Sequence, residues 1–452
     1  MLRLAYRSLR ARAVGFTACF LSIFLGSAMI ASFVSLSETG GGDVSAADEE
    51  SLMTMGTVVG GWAVAIVLFS VVSTLGITVR QRAAEIGTLR TIGATPRQLR
   101  RMVVAETVAV STAASALALL PGWLLGRWIL GLVQDANMVA DGVDHSIGPM
   151  TLIGTPLAMV ATSALAATLA VRKATKASAK EVEVAAATGA ARMGKLRIAA
   201  AVLLLAVGLN YSILTVTVMD DSSDPYGAMS TAGPASVFTS IGLALLAPVL
   251  LRSAARVASG PLRLARASGF LAAFNARRRA HQVSGALVPV IIFTGMATGT
   301  LYLMAIQSDA TAGMTKDAEA KNIEFLNYVV VGMIAVFAAI MIVNTLAATM
   351  LQRRREFGQQ RLTGATRGQL LAMVGIEGTL VTVVGVVFGV AASTATIVPY
   401  SLVKLDQPLP DNGIGLLLGV IGVAASATVG TGVVAAHRGL RVQAIDAAAL
   451  PA

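Results

Sequence analysis

The sequence predicts an all-α integral membrane protein with ten transmembrane helices, and three observations lead there. First, 55% of the 452 residues are hydrophobic and 13% are charged, with a mean hydropathy of +0.75. A soluble chain carries about a quarter charged residues. Second, the apolar residues come in runs of 20 or more. Such runs can cross about 30 Å of hydrocarbon as helices and are too continuous for alternating barrel strands. Third, one segment occurs twice. Arg80–Glu106 reads RQRAAEIGTLRTIGATPRQLRRMVVAE, and Leu351–Glu377 reads LQRRREFGQQRLTGATRGQLLAMVGIE, with 13 identities in 27 positions at a constant offset of 271.

Each copy of the repeat predicts an elbow between two spans. A short basic helix comes first, containing Glu85 or Glu356. Gly93 and Gly364 are placed to end it, because glycine accepts the left-handed conformation of a helix C-terminus. Thr95 and Thr366 then fit the N-cap of the next helix. Gln98 and Gln369, three residues on, complete a capping box, and Pro96 suits the first helical position.

Taken in order, residues 1–12 form a basic segment with Arg3, Arg7, Arg10 and Arg12, and span 1 covers 13–36. An acidic loop at 37–55 leads to span 2 at 56–79 and the first elbow. Span 3 (102–125) closes at Arg127 and Trp128, a loop holds Asp135, Asp141, Asp144 and His145, and span 4 is 149–171. An Ala-, Thr- and Lys-rich linker precedes a hairpin of spans 5 (196–219) and 6 (234–251). A second basic segment, 252–282, includes AAFNARRRA, which echoes the N-terminal LAYRSLRARA. Span 7 (283–306), span 8 (326–350), the second elbow, span 9 (370–394) and span 10 (413–436) complete the chain. The tail echoes the exit of span 4 at an offset of 265. The expected domains are 1–190, a linker and hairpin at 191–264, and 265–452. The two four-helix repeats are parallel, each entered from the same side.

Charge sets the orientation. With both termini inside, all but four of the 35 Lys and Arg lie on the inner side, the exceptions being Arg127, Lys316, Lys321 and Lys404. Of the 24 Asp and Glu, 17 lie outside. The net charge of +11 thus reflects the positive-inside rule rather than nucleic acid. Cys19 is the sole cysteine, so there is no disulfide framework, and His145, His281 and His437 fall in three separate loops.

The motif basic-x-x-Glu-apolar-Gly-x-x-Arg-x-x-Gly-Ala-Thr-x-x-Gln-Leu between two spans resembles the FtsX-like (MacB-like) permease domain of ABC transporters. The resemblance covers about 56–180 and 326–447 plus the preceding helices, and the ten-span layout is similar to the bacitracin-exporter type. It implies a permease subunit that is not itself an enzyme. It also implies two copies of a separate cytosolic ATPase that would bind ATP and Mg²⁺, and a bacterial cytoplasmic membrane. The family's coupling loop maps onto Arg82, Glu85, Ile86, Gly87, Arg90 and Gly93, and onto Arg353, Glu356, Phe357, Gly358, Arg361 and Gly364. Ile86 and Phe357 are the expected apolar plugs. The expected substrate is hydrophobic or amphipathic, such as an antibiotic, a lipid or a lipopeptide; the alternative is a regulatory complex that signals or protects. Relatives often carry a large extracytoplasmic domain between the first two spans of a unit; here that loop is about 20 residues in each half.

Other signals are weaker. Gly189–Leu196 reads GAARMGKL but has no hydroxyl residue after its lysine, so it is not a phosphate loop. No catalytic, cofactor-binding or metal motif is present. Glu106 and Glu377 recur at the inner ends of spans 3 and 9, as functional acids or as partners of the basic elbow. Ser73 and Asn344 match within spans 2 and 8, where they suit helix packing or a substrate path.

Overall fold

The computed structural model of the protein describes residues 13–41, 44–60, 87–89, 91–135, 139–176, 193–219, 227–262, 266–278, 280–311, 353–410, 413–443 and 445. It also describes isolated positions at 64–79 and 328–350. All regular structure among the described residues is helical. Among the described residues, eight helices are long and apolar enough to cross a membrane: Cys19–Gly40, Pro96–Asp135, Met150–Arg172, Lys195–Val218, Ala228–Leu245, Val283–Ala310, Arg367–Leu405 and Ile414–Gly439. Spans 2 and 8 lie largely outside the described residues, although every described position at 64–79 and 328–350 is helical.

The chain forms two compact units. The first comprises Met1–Ala186 with Thr315–Met333, the second Ala187–Met314 with Ile334–Ala452. The first unit contains α1 (Ala13–Gly40), α2 (Ala46–Thr54), α3 (Pro96–Asp135) and α4 (Thr155–Lys176). Helix α3 has 40 residues, about 60 Å at 1.5 Å per residue, so it outruns the membrane and passes its expected end at 125 by ten residues. Apolar side chains and small-residue contacts hold α1 against α3. A Cβ on Gly122 would lie 2.8 Å from the Ala31 side chain, and the Ser27 hydroxyl bonds that of Ser115 at 3.0 Å. Ser111 and Ser163 join α3 to α4 at 3.2 Å. Such hydroxyl pairs suit a membrane interior, where helices gain little from hydrophobic association.

The acidic loop expected at 37–55 is mostly helix. Helix α1 runs on to Gly40, and α2 starts at Ala46 because Ser45 caps it, accepting from the Asp48 amide at 3.2 Å. Asp48 and Glu49 fall in its first turn, where the helix dipole favours negative charge.

The end of this unit distal to the elbow is fastened by polar groups. Glu38 accepts hydrogen bonds from the amides of Gly148 (2.9 Å), Met150 (2.7 Å) and Thr151 (3.1 Å), capping the start of the helical run that continues into α4. The Thr39 hydroxyl accepts from the Ser146 amide at 3.1 Å, and Asp48 accepts from the Ala140 amide at 3.1 Å. His145 Nε2 lies 2.9 Å from the Ser35 hydroxyl. Burial, and then the nearby Arg127 charge, lower the His145 pKa from its ordinary 6.5.

The second unit contains α5 (Lys195–Val218), α6 (Gly227–Leu245), α7 (Ala247–Val257), α8 (Arg266–Arg278), α9 (Ala280–Ala310), α10 (Arg354–Leu362), α11 (Arg367–Leu405), α12 (Ile414–Ala425) and α13 (Thr431–Gly439). Span 6 was expected at 234–251, but the apolar run divides there. Pro248 lacks an amide proton and crowds the carbonyl four residues back, so α6 ends at Leu245 and α7 restarts at Ala247. Pro234, in contrast, lies inside α6. Helix α11 extends past its expected end at 394 to Leu405, where Asp406 adopts a left-handed cap with φ of 53°.

The α5–α6 hairpin packs on α9 and α11 within this unit. Gly295 and Gly299, four apart on α9, let α6 approach closely. A Cβ on Gly295 would lie 2.1 Å from the Ser240 hydroxyl, and one on Gly299 would lie 2.7 Å from the Ser236 hydroxyl. The Thr396 hydroxyl of α11 donates to the Ala232 carbonyl at 2.6 Å and accepts from the Ser236 amide at 3.0 Å. Those are the two groups an ordinary helical bond would pair, and they flank Pro234.

Candidate functional site

The second elbow is described from Arg353 onward. Helix α10 is only nine residues, too short to persist alone, so tertiary contacts must fix it. Gly364 ends the turn with φ of +99°. The Ala365 amide donates back to the Gln360 carbonyl at 2.9 Å and the Gly364 amide to Arg361 at 3.1 Å. Thr366 then caps α11, accepting from the Gln369 amide at 3.2 Å, while the Gln369 side chain accepts from the Thr366 amide at 2.9 Å. This is the expected capping box.

The first elbow repeats the turn. Gly93 has φ of +98°, the Ala94 amide donates to Leu89 at 2.9 Å, and Thr95 and Gln98 exchange bonds of 2.9 and 3.3 Å. Pro96 opens α3, as its fixed φ and missing amide proton favour. Of the first set of coupling residues, Gly87 and Gly93 are exposed, while Arg82, Glu85, Ile86 and Arg90 lie outside the described residues.

The second set divides by direction. Phe357 does not offer itself as an exposed plug. It is 2% exposed, in a core with Ala272, Met350, Leu370, Met373, Val374, Ala436 and Leu440. Gly358 is buried as well. Arg353 is 6% exposed and also turns inward. Its Nη1 and Nη2 form a two-pronged pair with Glu377, the Nη2–Oε1 distance being 3.2 Å. Its guanidinium lies 5.1 Å from the centre of the Phe357 ring, and its Nε is 3.5 Å from Glu356. Burial opposes the Arg353 charge, but Glu377 and then Glu356 outweigh it, holding the guanidinium above its ordinary pKa. Arg361, half-buried, donates to the carbonyls of Leu440 (3.3 Å) and Val442 (2.7 Å) beyond α13. Gly364 alone of this set is exposed at the tip. Some of these inward contacts reach far along the sequence, from Phe357 to Ala272 and Leu440 and from Arg361 to Leu440 and Val442, where helical period alone could not show them.

Sequence reasoning missed the exposed apolar groups. Ile92 is 78% exposed and Leu362 56%, at adjacent positions of the two turns. The signal was an apolar residue immediately before a turn glycine, or two before it. It also missed Asn275, whose Nδ2 donates to Glu377 at 2.8 Å. Asn275 lies among Ala272, Ala273 and Ala276 on the buried face of α8, a polar residue at an apolar register. Glu106, the counterpart of Glu377, is fully buried, and its counterpart arginine, Arg82, lies outside the described residues. Ser73 and Asn344 lie outside them as well.

Comparison with known proteins agrees with the duplication. The FtsX-like permease C-terminal family matches residues 57–179 and again 328–444. The two matches start 271 residues apart and end 265 apart, the offsets of the repeated elbow and of the echoed tail. No curated protein matches the chain. Two matches that together cover more than half of the sequence, each spanning an elbow with the same glycine turn and capping box, establish that this chain belongs to the FtsX-like permease family of ABC transporter membrane subunits.

Proposed function

We propose that the chain is the permease subunit of an ATP-driven ABC exporter, working with two copies of a separate cytosolic ATPase in the bacterial cytoplasmic membrane. Ten spans, both termini in the cytoplasm and two parallel four-helix repeats at 1–190 and 265–452 belong to this reading, with 191–264 as linker and hairpin. One observation carries it: both elbows have the same glycine turn and capping box, and each presents an exposed apolar residue, Ile92 or Leu362, with an exposed arginine, Arg97 or Arg367, five residues further along. An exposed apolar tip on a basic segment suits insertion into a cleft on a soluble partner. ATP and Mg²⁺ bind that partner. The short loops favour a hydrophobic or amphipathic substrate taken from the membrane.

The test is co-expression and co-purification with a candidate ABC ATPase subunit from the same organism. Ile92→Asp and Leu362→Asp should each reduce the bound ATPase from two copies to one, and the double variant should bind none. Two copies retained by the double variant would refute docking at the tips. Undiminished export by a complex whose ATPase cannot hydrolyse ATP would refute the transport reading.

A further inference from the structure

Three side chains from three elements meet beneath the second elbow. Arg353 begins the elbow, Glu377 lies in the early turns of α11, and Asn275 is on α8, the helix that leads into α9. All three are 6% exposed. Resting on the docking reading above, we propose that Arg353, Glu377 and Asn275 form the joint through which movement of the second elbow reaches α9 and α11.

The geometry favours a joint over a simple brace. Helix α10 is attached near both ends: Arg353 to Glu377 at its start, and Arg361 to the carbonyls of Leu440 and Val442 near its end. A short helix fixed at two points transmits displacement along its length, whereas one fixed at a single point pivots. The two-pronged contact of guanidinium and carboxylate fixes angle as well as distance, which a single ammonium contact does not. Asn275 bonds the same carboxylate oxygen, Oε1, that faces Arg353 Nη2, so the group cannot turn toward one partner without disturbing the other.

The choice of charge itself is informative. A buried ion pair contributes little net stability compared with well-packed apolar residues, and its better-attested use is to specify register. Here the surroundings are already apolar, with Phe357, Met373 and Val374 in the adjacent core. Apolar side chains could fill the site, so the pair is retained for alignment. A cavity of about 20 Å³, lined by Arg353, Glu377, Thr349 and Thr428, lies beside it. It has room for about one water beside the pair.

The experiment uses the full chain in complex with its ATPase in nanodiscs and follows backbone amide exchange with and without ATP plus vanadate. In the wild type, nucleotide should change exchange in α10 and also in α9 and α11. In Glu377→Gln and Arg353→Gln the α10 response should persist while that of α9 and α11 falls at least fivefold. The exchanged pair, Arg353→Glu with Glu377→Arg, should restore it, because the Asn275 amide can flip to accept from arginine. Equal α9 and α11 responses in the single variants, or no recovery in a folded exchanged pair, would overturn the joint. If the single variants do not yield a monodisperse complex, Glu377→Asp decides: a weakened α9 and α11 response supports the joint, and an unchanged one rejects it. Absence of any α10 response in the wild type would count against the docking reading instead.

Discussion

Replacing Gly364 by alanine isolates backbone conformation from packing. Its φ of +99° is one that L-residues rarely adopt, yet a Cβ built there meets no heavy atom within 4 Å. The penalty is therefore conformational, roughly 1–2 kcal/mol for holding an L-residue in left-handed geometry. At about 1.4 kcal/mol per factor of ten, the open turn should become about tenfold more populated. The bonds at stake are Ala365 to Gln360 and Gly364 to Arg361. Amide exchange at position 364 and at Ala365 should accelerate by that factor in Gly364→Ala, and by less in Gly364→Asn, since asparagine tolerates this region. Gly93, with φ of +98° and equally open space, should behave alike. Wild-type exchange in both alanine variants would show that the glycines are not there for their backbone freedom.

Other consequences follow from individual contacts. Glu377→Ala leaves Arg353 buried without its main partner and should cost about 3–5 kcal/mol, read by thermal unfolding in detergent, whereas Arg353→Met with Glu377→Leu should be near neutral. Glu38→Ala removes the acceptor shared by three amides, so exchange at Gly148, Met150 and Thr151 should rise steeply with little change at the elbows. His145 holds its proton less readily in the fold than in the unfolded chain. Its stabilising contribution is therefore complete above about pH 6.5 and falls as pH drops toward its lowered folded value. Thermal midpoints at pH 5 and 7.5 should differ more in the wild type than in His145→Gln. Gly295→Leu drives a side chain into Ser240 and should loosen the α5–α6 hairpin, measured as faster exchange in α6 but not in α3.

Local chemistry made much of the chain legible. The positions of seven membrane helices, both glycine turns and both capping boxes follow from patterns within a few residues, because helix period, left-handed caps and threonine–glutamine reciprocity are short-range effects. The end of span 6 is set locally too, by Pro248 within the apolar run. Ser45 and Asp48 likewise carried the start of α2 within four residues.

The sequence by itself determined that this is a helical membrane protein with a duplicated elbow. Only the tertiary structure decided which way the elbow's residues turn. Phe357 and Ile92 are both apolar residues near a turn, yet one fills a core and the other faces solvent. The difference comes from the segments that converge on Phe357, the nearby start of α11 together with the distant α8 and end of α13. The same is true of Glu38, whose three amide partners lie about 110 residues away. Burial is a property of what packs against a residue, and those neighbours are set by the fold rather than by the residues adjoining it in sequence.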